Sequence, residues 1–123
     1  MDIGSLATTQ VLIVGPRHSL AQAASMMFER RSGSAVVEND MEGPGIITER
    51  DLLRAVAEGV DLASTPVENY MTANAITAST SWDAEKAARL MLERGFRHLV
   101  VIDDRGRIEG ILSIRDLVKA LLD

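Results

Sequence analysis

Apolar positions recur along this chain in the same order twice. Near residues 19–31 and 82–94 they fall at i, i+3, i+4 and i+7, so each segment predicts a helix with one buried stripe. Leu20, Ala23, Ala24 and Met27 align with Ala84, Ala87, Ala88 and Met91 at an offset of 64 residues. Met26, Met27 and Met91 therefore read as core or helix-interface positions. Short strands are predicted before each helix, near 11–14 and 75–78. Ala35-Val36-Val37 and Leu99-Val100-Val101-Ile102 are continuous apolar runs, the pattern of strands covered on both faces. Gly45 to Thr48 and Ile108 to Ser113 supply third strands, and final helices begin at Thr48 and Ser113. The order is β-α-β-β-α, twice, which predicts a mixed α+β fold built of two repeats.

The punctuation agrees with this order. Ser19 is a predicted N-cap in the first copy, and Ser81 or Asp83 in the second. Gly33 and Gly95 follow the last helical turns, where helices often stop. Asn39-Asp40 and Asp103-Asp104-Arg105-Gly106 carry turn chemistry. One extra residue enters before Gly110, shifting the offset to 65 and predicting an insertion in the loop between two strands. The connector, about residues 59–66, is polar, and Pro66 biases Thr65 away from helix. The segment Val67-Glu68-Asn69-Tyr70-Met71-Thr72 leads into the second half, and its degenerate counterpart runs from Ile3 to Thr8.

The strongest repeat is a phrase at strand-to-helix junctions. Gly45-Ile46-Ile47-Thr48-Glu49-Arg50-Asp51-Leu52-Leu53 returns as Gly110-Ile111-Leu112-Ser113-Ile114-Arg115-Asp116-Leu117-Val118. Each half, residues 1–60 and 61–123, is marginal as an independent domain because little surface is buried at that size. The expectation is one module, residues 1–123, with the copies sharing a core.

Composition removes several function classes. A net charge of −5 argues against nucleic acid, which is usually met by a basic face. The absence of cysteine excludes thiolate catalysis, disulfide frameworks and zinc-thiolate sites. No run approaches a membrane span, and the start of the chain lacks the pattern of a signal peptide, so a cytoplasmic location is expected. The histidines, His18 and His98, have no partner nearby in sequence. No nucleophile motif, metal spacing or Walker glycine loop is present. No catalytic or metal-binding residue is assigned, and an enzyme is not expected.

Taken in order and twice, these motifs resemble a tandem pair of cystathionine β-synthase (CBS) domains. Thr65 to Thr72 and Gly95-Phe96-Arg97-His98-Leu99-Val100-Val101-Ile102-Asp103 support the likeness, which spans essentially the whole chain. The resemblance implies two small sheets packed together with pseudo-two-fold symmetry and two clefts between the repeats. It also implies an adenosine-containing ligand, namely AMP, ADP, ATP, S-adenosylmethionine or NAD. Such pairs usually regulate another protein and often assemble as dimers. The expected function is a regulatory nucleotide sensor, homodimeric, acting on an unknown effector protein in trans. The alternative is a scaffold of the same fold with vestigial clefts.

Candidate ligand residues follow from chemistry and resemblance together. The Asp51 and Asp116 carboxylates can accept hydrogen bonds from vicinal ribose hydroxyls. The Thr48 and Ser113 hydroxyls stand at helix starts, where backbone N–H groups favour anions. Thr-x-x-Asp and Ser-x-x-Asp also resemble capping boxes, which hold the same residue types for purely structural reasons. The resemblance adds Ile13, Val14, Thr77 and Ala78 as strand positions beside a purine base; each also reads as a core strand position. Arg97 and His98 are phosphate candidates, as are Arg50 and Arg115; a solvated surface role is the competing reading. Gly33 and Ser34 stand where the second copy has Arg97 and His98, so the clefts are expected to be unequal, with tighter AMP or ATP binding where Arg97 and His98 face.

Overall fold

Short apolar runs separated by helical stripes leave each sheet only three strands to build from. The computed structural model describes residues 2–7, 9–38 and 43–122. Its elements are β1 (Ile13–Val14), α1 (Leu20–Arg30), β2 (Ser34–Val37), β3 (Gly45–Thr48) and α2 (Glu49–Ala57), then β4 (Thr77–Ser79), α3 (Ala84–Arg94), β5 (His98–Ile102), β6 (Ile108–Ser113) and α4 (Ile114–Leu122). Single-turn 3-10 helices, Ile3–Ser5 and Val67–Asn69, precede the copies. The fold is mixed α+β with two three-stranded sheets, ordered β1-β2-β3 and β4-β5-β6. In each, the central strand pairs parallel to the first and antiparallel to the third.

The chain forms two compact units that cut it at places other than the sequence repeats. One unit is Leu12–Ala75; the other joins Met1–Val11 to Ile76–Asp123. Each 3-10 helix thus packs on the copy it does not precede. Val67 and Tyr70 lie in the core of the first unit with Leu12, Val14, Leu20, Met27 and Ile47. Ile3 lies in the other core with Met91, Leu99, Val101, Leu112 and Leu117. Gly4 shows how tight that docking is. A Cβ there would stand 3.0 Å from Thr80 Cβ, while Gly4 N–H donates to Thr80 C=O at 3.0 Å.

The connector does more than link. Thr65 C=O accepts from Leu20 N–H at 2.9 Å, and Leu62 C=O accepts from Ala21 N–H at 3.0 Å. Ser19 Oγ accepts from Gln22 N–H and the Gln22 side chain accepts from Ser19 N–H, completing a capping box. The first-turn amides of α1, which a helix leaves without intrahelical partners, are therefore engaged by protein.

Three local expectations need correction or completion. Asp83, not Ser81, caps α3, accepting from Glu85 N–H. Gly95 takes the left-handed conformation that ends α3, but in the first copy Arg31 takes it, at φ 53°, and Gly33 does not. Arg31 and Gly95 are equivalent at the 64-residue offset, so the geometry repeats although glycine does not. The extra residue before Gly110 enters β6 itself. Val101 pairs with Gly110 and Ile102 with Ile108, leaving Glu109 as a bulge, which adds one residue to one strand. Asp103 to Gly106 form the expected turn, with the Asp103 carboxylate accepting from Arg105 and Arg107 N–H. Asn39-Asp40 lie outside the described residues.

Tyr70 closes the connector onto α2. Its phenol donates to Glu58, its backbone C=O accepts from Arg54 Nη2 at 3.0 Å, and the Arg54 guanidinium lies 5.0 Å from the ring centroid. The hydrogen bond to Glu58, then burial, then the Glu58 charge push the Tyr70 phenol above its ordinary value, with Arg54 opposing. A raised folded-state pKa means that this contribution to stability is complete below the unfolded value of about 10 and is lost as pH rises through the folded value. Tyr70 is the single tyrosine, so tyrosinate absorbance reports it alone. The expected native titration midpoint lies above 10, and Glu58→Gln brings it down; a wild-type midpoint at the free-phenol value contradicts the contact.

Candidate functional site

Each repeated phrase builds one side-chain cluster at the junction of a third strand and the helix that follows it. In the first, Thr48 is the N-cap of α2. Asp51 Oδ2 accepts from Thr48 N–H at 2.9 Å and from Thr48 Oγ1 at 3.1 Å, and Thr48 Oγ1 accepts from Asp51 N–H at 3.4 Å. In the second, Asp116 Oδ2 accepts from Ser113 N–H at 2.8 Å and Oγ at 2.9 Å, and Ser113 Oγ accepts from Asp116 N–H at 3.2 Å. Both are capping boxes. Each carboxylate spends one oxygen on its cap. Asp51 Oδ1 stands 3.7 Å from Arg54 Nη2, whereas Asp116 Oδ1 has no protein partner among the described residues. Both aspartates are only partly exposed. A carboxylate that uses one oxygen in its cap can take a hydroxyl donor on the other without giving up the cap.

Sheet register settles what stands beside each cluster. Thr48 pairs with Ser34, and Glu49 N–H donates to Gly33 C=O at 3.0 Å. Ser113 pairs with His98, and Ile114 N–H donates to Arg97 C=O at 2.9 Å. The backbones of Arg97 and His98 thus lie beside Ser113 and Ile114 within the same unit, and Ser113 is the residue to which Asp116 is bonded. Arg50 and Arg115, at equivalent positions in the first turns of α2 and α4, are exposed. The other candidates are not gathered there. Ile13 pairs with Val36 and Thr77 with Val100, so β1 and β4 lie on the opposite sheet edge, two residues further along the central strand. Val14 and Ala78 are buried; Ile13 is exposed and Thr77 partly so.

The structure adds two residues that the sequence pattern does not single out. A Cβ built on Gly33 would stand 3.2 Å from Glu49 Oε1, so the Glu49 carboxylate lies over Gly33. Arg54 links Asp51 to Tyr70. The i,i+3 spacing of Asp51 and Arg54 on one helix is legible in the sequence; the Gly33–Glu49 contact depends on strand register. Among the described residues no group of three or more His, Asp or Glu could hold a metal ion, and no helix is long and apolar enough to cross a membrane.

The sequence model of the CBS domain matches the chain twice, over residues 3–58 and 67–123. An uncharacterised 17.7 kDa protein of Acidianus ambivalens is 43% identical over 122 residues, spanning 98% of this chain and 73% of the relative. A CBS-domain-containing protein of Agrobacterium tumefaciens superposes with a TM-score of 0.86 at 33% identity, spanning 98% of each chain. A CBS domain protein of Pyrobaculum aerophilum, in complex with AMP, superposes with a TM-score of 0.87 at 29% identity, spanning 99% of this chain and 95% of that one.

Proposed function

The chain belongs to the CBS-domain family, as a tandem pair, and from that premise we propose that it is a regulatory adenosine-nucleotide sensor acting on a partner in trans. The observation that carries this reading is the twice-built cluster at the helix starts. Each copy keeps a hydroxyl and a carboxylate locked together, and Asp116 leaves one oxygen without a partner among the described residues. The AMP complex of the Pyrobaculum aerophilum relative supports AMP as the first ligand to test; ADP, ATP, S-adenosylmethionine and NAD share the adenosine moiety. In this reading Asp51 and Asp116 hold ribose hydroxyls, and Arg97, His98, Arg50 and Arg115 are available to phosphate. Ile13, Val14, Thr77 and Ala78 flank the base. A ligand shifts the equilibrium between two states of the chain only by its differential affinity for them, and the partner reads that shift.

A dye-monitored melt with each of these ligands tests the reading. At about 100 times its dissociation constant a ligand adds roughly 2.7 kcal/mol, several degrees in melting temperature for a domain of this size. The expected result is such a shift with at least one adenosine ligand. No shift with any of them at millimolar concentration favours the scaffold reading.

Self-association belongs to the same proposal. Exposed apolar residues occupy equivalent positions in both copies: Phe28 and Leu92, Leu53 and Val118, Val56 and Leu121. An exposed apolar residue alone means little; the same positions left exposed in both copies support an interface. Sedimentation at tens of micromolar is expected to give a species of twice the 13.3 kDa chain mass, and Leu53→Glu with Leu121→Glu is expected to give a monomer. A wild-type monomer with and without nucleotide contradicts this.

A further inference from the structure

The two clusters stand in unequal electrostatic surroundings, the first balanced in charge and the second net positive, and the difference comes from coupled pairs of residues. In the first, α2 opens on Glu49, whose carboxylate covers Gly33, and the backbone bond between the two residues holds them together. Asp51 adds a second carboxylate. The cations on the same helix are Arg50 and Arg54, and Arg54 is already engaged with Tyr70 C=O and its ring. In the second cluster the same backbone bond joins Ile114 to Arg97. Ile114 stands where Glu49 stands, and Arg97 where Gly33 stands. At these equivalent positions Asp116 is then the one carboxylate among the described residues, and Arg97, Arg115 and Lys119 are the cations.

The two arrangements are coupled. A side chain at position 33 meets the Glu49 carboxylate 3.2 Å from its first carbon, so Glu49 must shift by a few tenths of an ångström to admit one. With glycine at 33, Glu49 sets a carboxylate over the strand end at which the second copy carries Arg97. A phosphate entering the first cluster meets a carboxylate; one entering the second meets a charge-assisted donor that can bind it with two parallel hydrogen bonds.

We infer that Glu49 makes the two sites select different adenosine ligands. The Ser113–Asp116 site favours a phosphorylated nucleotide, and at the Thr48–Asp51 site Glu49 offsets what Arg50 offers a phosphate, so that site favours an adenosine compound without one. This rests on the nucleotide-sensor reading and extends it from one ligand class to two. AMP then fills the Ser113–Asp116 site at concentrations that leave the Thr48–Asp51 site open to an unphosphorylated adenosine compound.

Calorimetric titration of the full chain with adenosine and with AMP tests this, using wild type, Glu49→Gln and Arg97→Ala. Wild type is expected to bind adenosine at two sites per chain and to bind AMP at least tenfold more tightly at one site than at the other. Glu49→Gln, which keeps the volume and removes the charge, raises affinity at the weaker AMP site at least tenfold and leaves adenosine binding unchanged. Arg97→Ala weakens the tighter AMP site at least tenfold, again with adenosine unchanged, and it stands as the independent variant if Glu49→Gln fails to fold. Equal affinity of wild type for AMP at both sites overturns the inference while leaving the sensor reading intact, as does a Glu49→Gln protein whose weaker AMP site does not tighten. Failure of wild type to bind either ligand overturns the sensor reading and this inference with it.

Discussion

Asp116→Ala is expected to weaken AMP binding more than tenfold, with a smaller loss in Asp116→Asn, which keeps one acceptor. The carboxylate has two tasks on two oxygens. Oδ2 accepts from Ser113 N–H and Oγ, and Oδ1 has no partner among the described residues and in the proposed site takes a ribose hydroxyl. Removing the carboxylate also removes half of a capping box, a cost of about 0.5–2 kcal/mol, so the melting temperature falls by several degrees while far-ultraviolet dichroism keeps its native shape. The two effects separate by experiment. Stability is read without ligand, and affinity by calorimetry at a temperature where the variant is folded. A folded Asp116→Ala protein with wild-type affinity reduces the motif to a helix cap.

Ile3→Ala is expected to cost roughly 2–5 kcal/mol of stability, the range for truncating a fully buried isoleucine or leucine. Ile3 sits ten residues before β1, the nearest strand of its own copy, but is fully buried in the core of the other unit, with Leu99, Leu112, Leu117 and Met91. Its N–H donates to Trp82 C=O at 2.9 Å, so backbone and side chain both tie it to the start of α3. Urea unfolding gives the number. Thr9→Ala, at an exposed position, is the control and is expected to stay within about 0.5 kcal/mol of wild type. An Ile3→Ala protein as stable as the Thr9→Ala control means that the N-terminal 3-10 helix is not part of that core.

These two residues also mark the difference between what is legible in the chain and what is not. Asp116 is visible at once, because its spacing from Ser113 recurs at Thr48 and Asp51, and local spacing is enough to predict a helix start. The element order and core stripes are legible for the same reason: Leu20, Ala23 and Met27 report a helical period without knowledge of any partner. The role of Ile3 is not legible. Ile3 to Thr8 aligns with Val67 to Thr72, but alignment does not say which copy a segment packs on; that is decided by tertiary burial of one side chain. Gly33 misleads for a related reason. A glycine shortly after a helix suggests its stop, yet Arg31 accepts the left-handed conformation, and Gly33 is instead the residue that makes room for Glu49. The bulge at Glu109 looks like a loop insertion because a one-residue offset in sequence does not say whether it is absorbed in a turn or in a strand.

In the candidate site, the clustering of Arg97 and His98 with Ser113 and Asp116 comes from strand register, His98 opposite Ser113. The repeat predicts that these residues make the copies unequal; it does not say which aspartate they stand beside. Ile13 and Thr77 lie on the far edge of their sheets from the aspartate of the same unit, which spacing along the chain does not reveal.

The most direct test of the central claim is a crystal structure grown with AMP. The account predicts density for the nucleotide with a ribose hydroxyl within hydrogen-bond distance of Asp116 Oδ1, about 2.7 Å, while Oδ2 keeps its bonds to Ser113. AMP bound away from both aspartates, or crystals from saturating AMP with none in the density, contradicts it.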